Sequence, residues 1–289
     1  MKYRFMAAHR GEHRAEKMAE NLGVTRSGFY AWLRRGKAAR RTADEHLRDL
    51  IEGIQKDVHY RYGSPRMTRE LRRRGRRVGH NRVARLMRQG KLGARRRKAY
   101  RATTKSNHAH PVAENLLQRV FRVSAANRVW VSDITYIPIA EGWMYLCVVL
   151  DLYSRRVVGW SMDRSLGTEL AVRALLMAVM GRRPPRDLLL HSDRGVQYCA
   201  AAFRRHLQYH GIRQSMSRKG DCWDNACAET FFASLKMELI RERIFLTREQ
   251  ARQEIFEYIE VFYNRRRLHS YLGYLTPHEF EHSAGGVAA

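Results

Sequence analysis

Asp133, Asp193 and Glu229 are the residues of this chain whose types and settings could do chemistry. Asp133 lies in Trp130-Val-Ser-Asp-Ile-Thr-Tyr136, Asp193 in His191-Ser-Asp-Arg-Gly195 and Glu229 in Asp224-Asn-Ala-Cys-Ala-Glu229. Carboxylate oxygens are the ligands that hard divalent cations prefer. Two such ions can stabilise both the attacking and the leaving oxygen of a phosphodiester in an in-line displacement. The chain has 28 Asp and Glu, so spacing alone selects no triplet, and scattered surface acids satisfy it equally well. Context is more selective. The first carboxylate sits in a strand-like run, the second follows the apolar run Leu188-Leu-Leu190, and the third lies on a predicted helix that continues to Lys236.

That helix offers a second check. Asn225, Glu229 and Lys236 fall at i, i+4 and i+11, and seven residues at 100° each bring Lys236 within about 20° of Glu229, roughly 10 Å along the axis. If Glu229 holds metal at a scissile phosphate, Lys236, with Asn225, is expected to reach the flanking DNA. A merely exposed lysine is the alternative. Asp221 or Asp224 is expected to cap the helix, and residues 215–220 to form a loop facing substrate.

The elements that must position these groups begin at residue 127. Val129 to Ile139, Trp143 to Leu152 and Arg156 to Met162 read as strands, and their short connectors favour an antiparallel meander. A helix from Thr168 to Met180, with Thr168 as cap, ends before Pro184-Pro185. A strand at Leu188 to His191, a helix at 200–210, a strand at 212–216 and the helix Asn225 to Ile240 follow. The order β-β-β-α-β-α-β-α is that of an α/β, ribonuclease-H-like mixed sheet flanked by helices. In such a sheet the fourth strand returns beside the first, so Asp133 and Asp193 can be neighbours, and their repulsion favours cations.

The N-terminal half has another texture. Residues 1–126 hold 33 Lys and Arg against 10 Asp and Glu, and residues 127–289 hold 22 against 18. So one-sided an excess favours a polyanion, nucleic acid above all. Residues 15–35 read as two short helices turning at Gly23, with Thr25 capping the second, in the manner of a helix-turn-helix or of a plain helical hairpin. A separate charged helix is expected from Asp44 to Asp57. A basic helix from Met67 to Arg74 stops at Gly75, and another follows Asn81 as its cap. In that last helix Val83, Leu86 and Met87 share an apolar stripe, while Arg82, Arg85 and Arg88 point away, toward phosphate. Arg95, Arg96, Arg97 and Lys98 open a basic linker that could also meet DNA. The expected domains are a helix-turn-helix-like segment 1–40, a basic helical DNA-binding domain 41–95, a linker 96–126, a catalytic core 127–242, and a C-terminal helix and basic tail 243–289.

No run approaches the roughly 20 apolar residues of a membrane span, and the first residues lack a signal-peptide core. The bacterial cytoplasm, on nucleoid DNA, is the expected location. Cys147, Cys199, Cys222 and Cys227 fall at no metal spacing and read as reduced thiols.

The segments around the three carboxylates, with Val149-Leu-Asp-Leu-Tyr-Ser-Arg-Arg-Val-Val-Gly-Trp160, Gly220-Asp-Cys-Trp-Asp-Asn-Ala226 and Tyr263-Asn-Arg-Arg-Arg-Leu-His269, resemble the second-frame transposase of bacterial insertion sequences of the IS-three family. The resemblance extends over nearly the whole chain, including the 35 residues between the second Asp and the Glu. It implies a retroviral-integrase-like core of the DDE superfamily. In that core Asp133, Asp193 and Glu229 form the triad for two Mg²⁺ ions, for which Mn²⁺ would substitute, and Lys236 contacts DNA. The implied activity is cleavage at element ends to leave a 3′-hydroxyl, which then attacks another phosphodiester. Its partners are double-stranded DNA, both terminal inverted repeats and target, and further protomers on that DNA. Such transposases commonly act as frameshift products whose upstream frame supplies a leucine zipper. This chain has no sustained heptad repeat, so an upstream-frame product is an expected partner. A non-catalytic DNA-binding regulator and a nuclease without strand transfer are the alternatives.

Overall fold

The basic N-terminal residues fold into helices α1 (Lys2–Ala8), α2 (Ala15–Asn21), α3 (Arg26–Asp57), α4 (Ser64–Arg73) and α5 (His80–Gln89). The computed structural model describes residues 1–94, 111–218, 222–240 and 244–285. By contact density it divides into two units, Met1–Ala94 and Arg95–Ala289. In the first unit Gly23 turns the chain at φ 59°, and Thr25 caps α3 by accepting from the Gly28 N–H at 3.1 Å. Met6, Met18, Ala19 and Phe29 close a small core.

α3 is one helix of 32 residues, where two were expected. Nothing between Arg34 and Asp44 breaks it, since Ala38, Ala39 and Ala43 favour helix and a lone Gly36 costs only about 1 kcal/mol. Residue 40 therefore falls inside α3 and marks no boundary. α4 carries Pro65 in its first turn, and Gly75 ends that stretch at φ 77°. α5 is capped at Gly79 rather than Asn81, because it starts at His80. Its predicted stripe, Val83, Leu86 and Met87, is buried.

The second unit is built on a mixed sheet. β1 (Val129–Ile139), β2 (Gly142–Asp151) and β3 (Val157–Asp163) form the antiparallel meander. Helix α6 (Thr168–Arg182) follows, capped by Gly167 and not by the Thr168 side chain. Then β4 (Leu189–Ser192) returns parallel to β1. One turn of helix α7 (Val196–Cys199) and α8 (Ala201–Tyr209) lead to β5 (Arg213–Met216), parallel to β4. The order is β3-β2-β1-β4-β5. Trp130, Cys147 and Val149 pack under α6, α7 and α8 with Leu175, Tyr198 and Phe203. The alternate residues Val131 and Ile137 are also buried, so the sheet is covered on both faces. Gly159 permits α6 to sit this close, for a Cβ there would stand 2.3 Å from the Ala174 carbonyl oxygen.

A 3-10 turn (Cys222–Asn225) opens α9 (Ala226–Leu235), which widens into a π turn over Lys236–Ile240. α10 (Arg248–Phe256) widens likewise over Glu257–Tyr263, and α11 (Pro277–Gly285) ends the described chain. The residues expected as a basic tail are tied to the core. Arg267 lies buried on Glu238, and Glu281 accepts from Ser154, Arg156 and Arg182. The described end of the expected linker, from Pro111, also belongs to this unit: Leu117 is buried, and its N–H and that of Leu116 donate to Ser215 Oγ.

Candidate active site

Strand register sets the first two carboxylates. β1 and β4 run parallel with Ser132 opposite Ser192, so Asp133 and Asp193 are the next residues on strands about 4.8 Å apart. They emerge where β4 ends, at the carboxyl edge where open α/β sheets bind ligands. Each is oriented by its own backbone: Asp133 Oδ1 accepts from the Ile134 N–H at 2.8 Å and Asp193 Oδ1 from the Gly195 N–H at 2.9 Å. Beneath them Ser132 Oγ donates to the Val148 carbonyl at 2.8 Å and meets the Tyr198 hydroxyl at 2.9 Å.

Glu229 enters on the first turn of α9 and is exposed. The helix start is held against β1 by Asn225, whose Nδ2 donates to the Ser132 carbonyl at 3.1 Å. The Asn225 Oδ1 is buried without a hydrogen-bond partner. Burial lifts the Asp133 carboxyl well above its usual range, and the charge of Asp193 adds to this. The Ile134 N–H opposes the rise, Glu229 adds to it, and Lys236 opposes it. Burial also raises Glu229. Among the described residues no three His, Cys, Asp or Glu side chains are gathered as a metal site. The carboxylates are thus electrostatic neighbours that do not close on one point.

Behind Asp193, the His191 ring meets Ser215 Oγ at 2.8 Å and Ser217 Oγ at 3.1 Å. Burial lowers its pKa to about 4, so the ring is neutral near pH 7. Asp224 is fully buried. It accepts from Asn115 Nδ2 at 2.8 Å, Arg119 Nε at 2.8 Å and the Arg218 N–H at 3.0 Å. Burial alone would raise its carboxyl, but the Arg218 backbone and the Arg218 and Arg119 side chains hold it at about 2.

Among the residues expected to contact DNA, Asn225 is turned inward. It is 4% exposed and braces β1, because its amide donates to the Ser132 carbonyl of that strand. Arg82 and Arg85 pair with Asp44 of α3, which takes Arg82 Nε at 2.7 Å and Arg85 Nη2 at 2.6 Å, and their side chains remain 40% and 47% exposed. Arg88 is exposed. Arg95, Arg96, Arg97 and Lys98 lie outside the described residues. Lys236 lies close enough to the carboxylates for its charge to reach Asp133. His191 and Asp224 were not foreseen as anchors. Asp224 read as a helix cap, and its partners Asn115 and Arg119 lie more than 100 residues away.

The chain is similar to known proteins along its whole length. A family model described as an integrase core domain matches residues 123–222, and a second of that description matches residues 229–284. A model described as an HTH-like domain matches residues 42–100. The transposase InsF for insertion sequence IS3A of Escherichia coli (strain K12) is 42% identical over 283 residues, covering 97% of this chain and 98% of that protein. An uncharacterized 31 kDa protein of insertion element IS600 from Shigella sonnei is 42% identical over 272 residues, covering 94% and 100%. Among solved structures, the HTLV-2 integrase catalytic core domain in complex with magnesium aligns at 15% identity and a TM-score of 0.42, over 56% of this chain and all of that one.

Proposed function

We propose, because the chain belongs to the family of IS3 insertion-sequence transposases, that Asp133, Asp193 and Glu229 act together as the divalent-cation site of its DNA strand cleavage and strand transfer. The chain is an enzyme of the integrase superfamily acting in DNA transposition and recombination. The alternative of a non-catalytic regulator does not account for the two integrase-core matches.

The observation that carries the site is the register of β1 and β4, with Ser132 opposite Ser192, which sets Asp133 and Asp193 side by side at the carboxyl edge of the sheet. Two buried-edge carboxylates on adjacent strands, with a third nearby, repel one another, and that repulsion is relieved when a dication shares them. Their oxygens, with the orphaned Asn225 Oδ1 one helical turn before Glu229, are hard donors of the kind magnesium takes. Glu229 is exposed and has three side-chain torsions, so it can swing to complete the set. Two Mg²⁺ ions, or Mn²⁺ in their place, would activate the attacking oxygen and stabilise the leaving one in an in-line displacement.

The chain's own residues supply the positioning. β1 and β4 fix two carboxylates rigidly, Asn225 fixes the helix that brings the third, and Lys236 gives a positive charge beside the reacting phosphate. The HTH-like residues 42–100 bind the DNA duplex, and two element ends held at once need at least two protomers. An upstream-frame product supplying a zipper fits the absence of a heptad repeat here. No described helix is long and apolar enough to cross a membrane.

Asp193→Asn tests the reading on terminal-repeat duplexes with Mg²⁺ or Mn²⁺. The variant should shift the duplex in a gel as the parent does, yet neither nick it nor join precut ends. Joining retained by Asp193→Asn would remove Asp193 from the site.

A further inference from the structure

A buried carboxylate holding two half-exposed arginines stands at the mouth of the site. Asp224 is 0% exposed, while the side chains of Arg119 and Arg218 are 42% and 59% exposed. Arg119 gives Nε to Oδ1 at 2.8 Å, and Arg218 gives its backbone N–H at 3.0 Å and Nε at 3.3 Å to Oδ2 and Nη2 at 3.4 Å to Oδ1. A bare carboxylate needs one guanidinium. This one aligns two, and both side chains keep part of their surface in water.

The surroundings connect the pair to the reacting edge. The Ser217 N–H donates to the Ser192 carbonyl at 2.9 Å, and Arg194 Nε donates to the Ser217 carbonyl at 2.6 Å, so Arg218 follows a segment locked beside Asp193. Asp224 lies in the turn that opens the helix of Glu229. A second observation points the same way. Gln118 and Arg119 both adopt left-handed backbone, at φ 44° and 62°, which non-glycine residues adopt at a cost. That turn is held by the Gln118 N–H on Asn115 Oδ1 at 3.0 Å and by Asn115 on Asp224. Strain of this kind persists where surrounding bonds over-determine it, and it gathers at functional sites.

We infer that Arg119 and Arg218, aligned by Asp224, form a clamp for a DNA backbone phosphate beside the carboxylate site, an inference that rests on the transposase reading above. A guanidinium matches phosphate in a planar, two-bond geometry. Pinning both heads in advance leaves little side-chain freedom to lose when DNA arrives. The clamp carries no base information and positions the strand.

The test is modification of the parent protein's arginines by phenylglyoxal, mapped by mass spectrometry, with no DNA, with a terminal-repeat duplex, and with an unrelated duplex. Nicking in Mg²⁺ is read on the same samples. Protection of Arg119 and Arg218 by the terminal-repeat duplex alone assigns the clamp to element ends, and protection by both duplexes assigns it to DNA of any sequence. Equal modification of both arginines with and without DNA, while the duplex is bound and nicked, overturns the clamp and leaves the transposase reading intact. Absence of nicking counts against that reading, and protection is scored independently of it. As a second measure, Arg119→Gln and Arg218→Gln should each lower the slope of log binding constant against log salt by about 0.9. An unchanged slope in both also overturns the clamp. If either variant unfolds, the modification result on the parent protein decides.

Discussion

Asp224 shows how one residue can hold a site together without touching the chemistry. Its carboxyl lies below the ordinary value, at about 2, so the stability it contributes is present above the unfolded value near 4 and is lost as pH falls toward 2. With water around the half-exposed arginines, that contribution is on the order of 1–2 kcal/mol. Denaturant unfolding of the parent and of Asp224→Asn should differ by this amount at pH 5 and converge as pH approaches 2. A gap that does not change with pH would show that the arginines are not what holds the carboxylate. The adjacency of Asp133 and Asp193 was legible because both follow strand-like runs whose order puts the fourth strand beside the first. The bond of Asn225 to Ser132 and the ion pairs of Arg82 and Arg85 with Asp44 were not, because each partner lies far off in sequence. Helical spacing tells which face a side chain shares, and tertiary packing decides whether that face meets water or another element.

Elements were legible where connectors were short. The antiparallel meander followed from turns too brief for a crossover, and β4 beside β1 followed from the helix between them. The C-terminal residues were misread as a tail because Arg265-Arg-Arg267 looks like solvated charge. In the folded chain Arg267 is 4% exposed and Glu238 3%. Arg267 Nη2 reaches Glu238 Oε1 at 2.7 Å and Ser234 Oγ at 3.0 Å, and the Tyr258 hydroxyl donates to Glu238 at 3.0 Å. This network joins the two π turns, Lys236–Ile240 and Glu257–Tyr263, so Tyr258 and Arg267 buttress the helix of Glu229 and Lys236. Removing one member of a buried pair leaves the other charge uncompensated. Arg267→Met should therefore cost about 3–5 kcal/mol in denaturant unfolding, and Glu238→Leu with Arg267→Met should recover much of it. A double variant no more stable than the single one would mean that packing by the arginine stem, not charge, is what the site needs. Asn264 works similarly at the sheet edge, pairing its amide with both the N–H and the carbonyl of Val157 at 3.0 Å.

At the scale of the whole molecule, uneven charge was the clearest signal in the sequence, with most of the net +27 in the first 126 residues. That asymmetry marked a polyanion as partner before any element was placed. The boundaries it suggested do not follow the fold, since α3 runs through residue 40 and residues from 111 onward pack with the core. Counting charge points to the kind of partner, and only contacts find where a unit ends. The central claim is that Asp133, Asp193 and Glu229 serve one divalent-cation site, although they are not drawn to one point in the folded chain. Free Mn²⁺, read by electron paramagnetic resonance during titration of the DNA-bound protein near neutral pH, measures this directly. Asp133→Asn, Asp193→Asn and Glu229→Gln should each weaken uptake by about tenfold or more. Uptake by the parent should also fade as pH drops through the raised Asp133 value, since a protonated carboxyl is a poor ligand. Mn²⁺ uptake left at the parent's level by any one of the three substitutions would contradict the account.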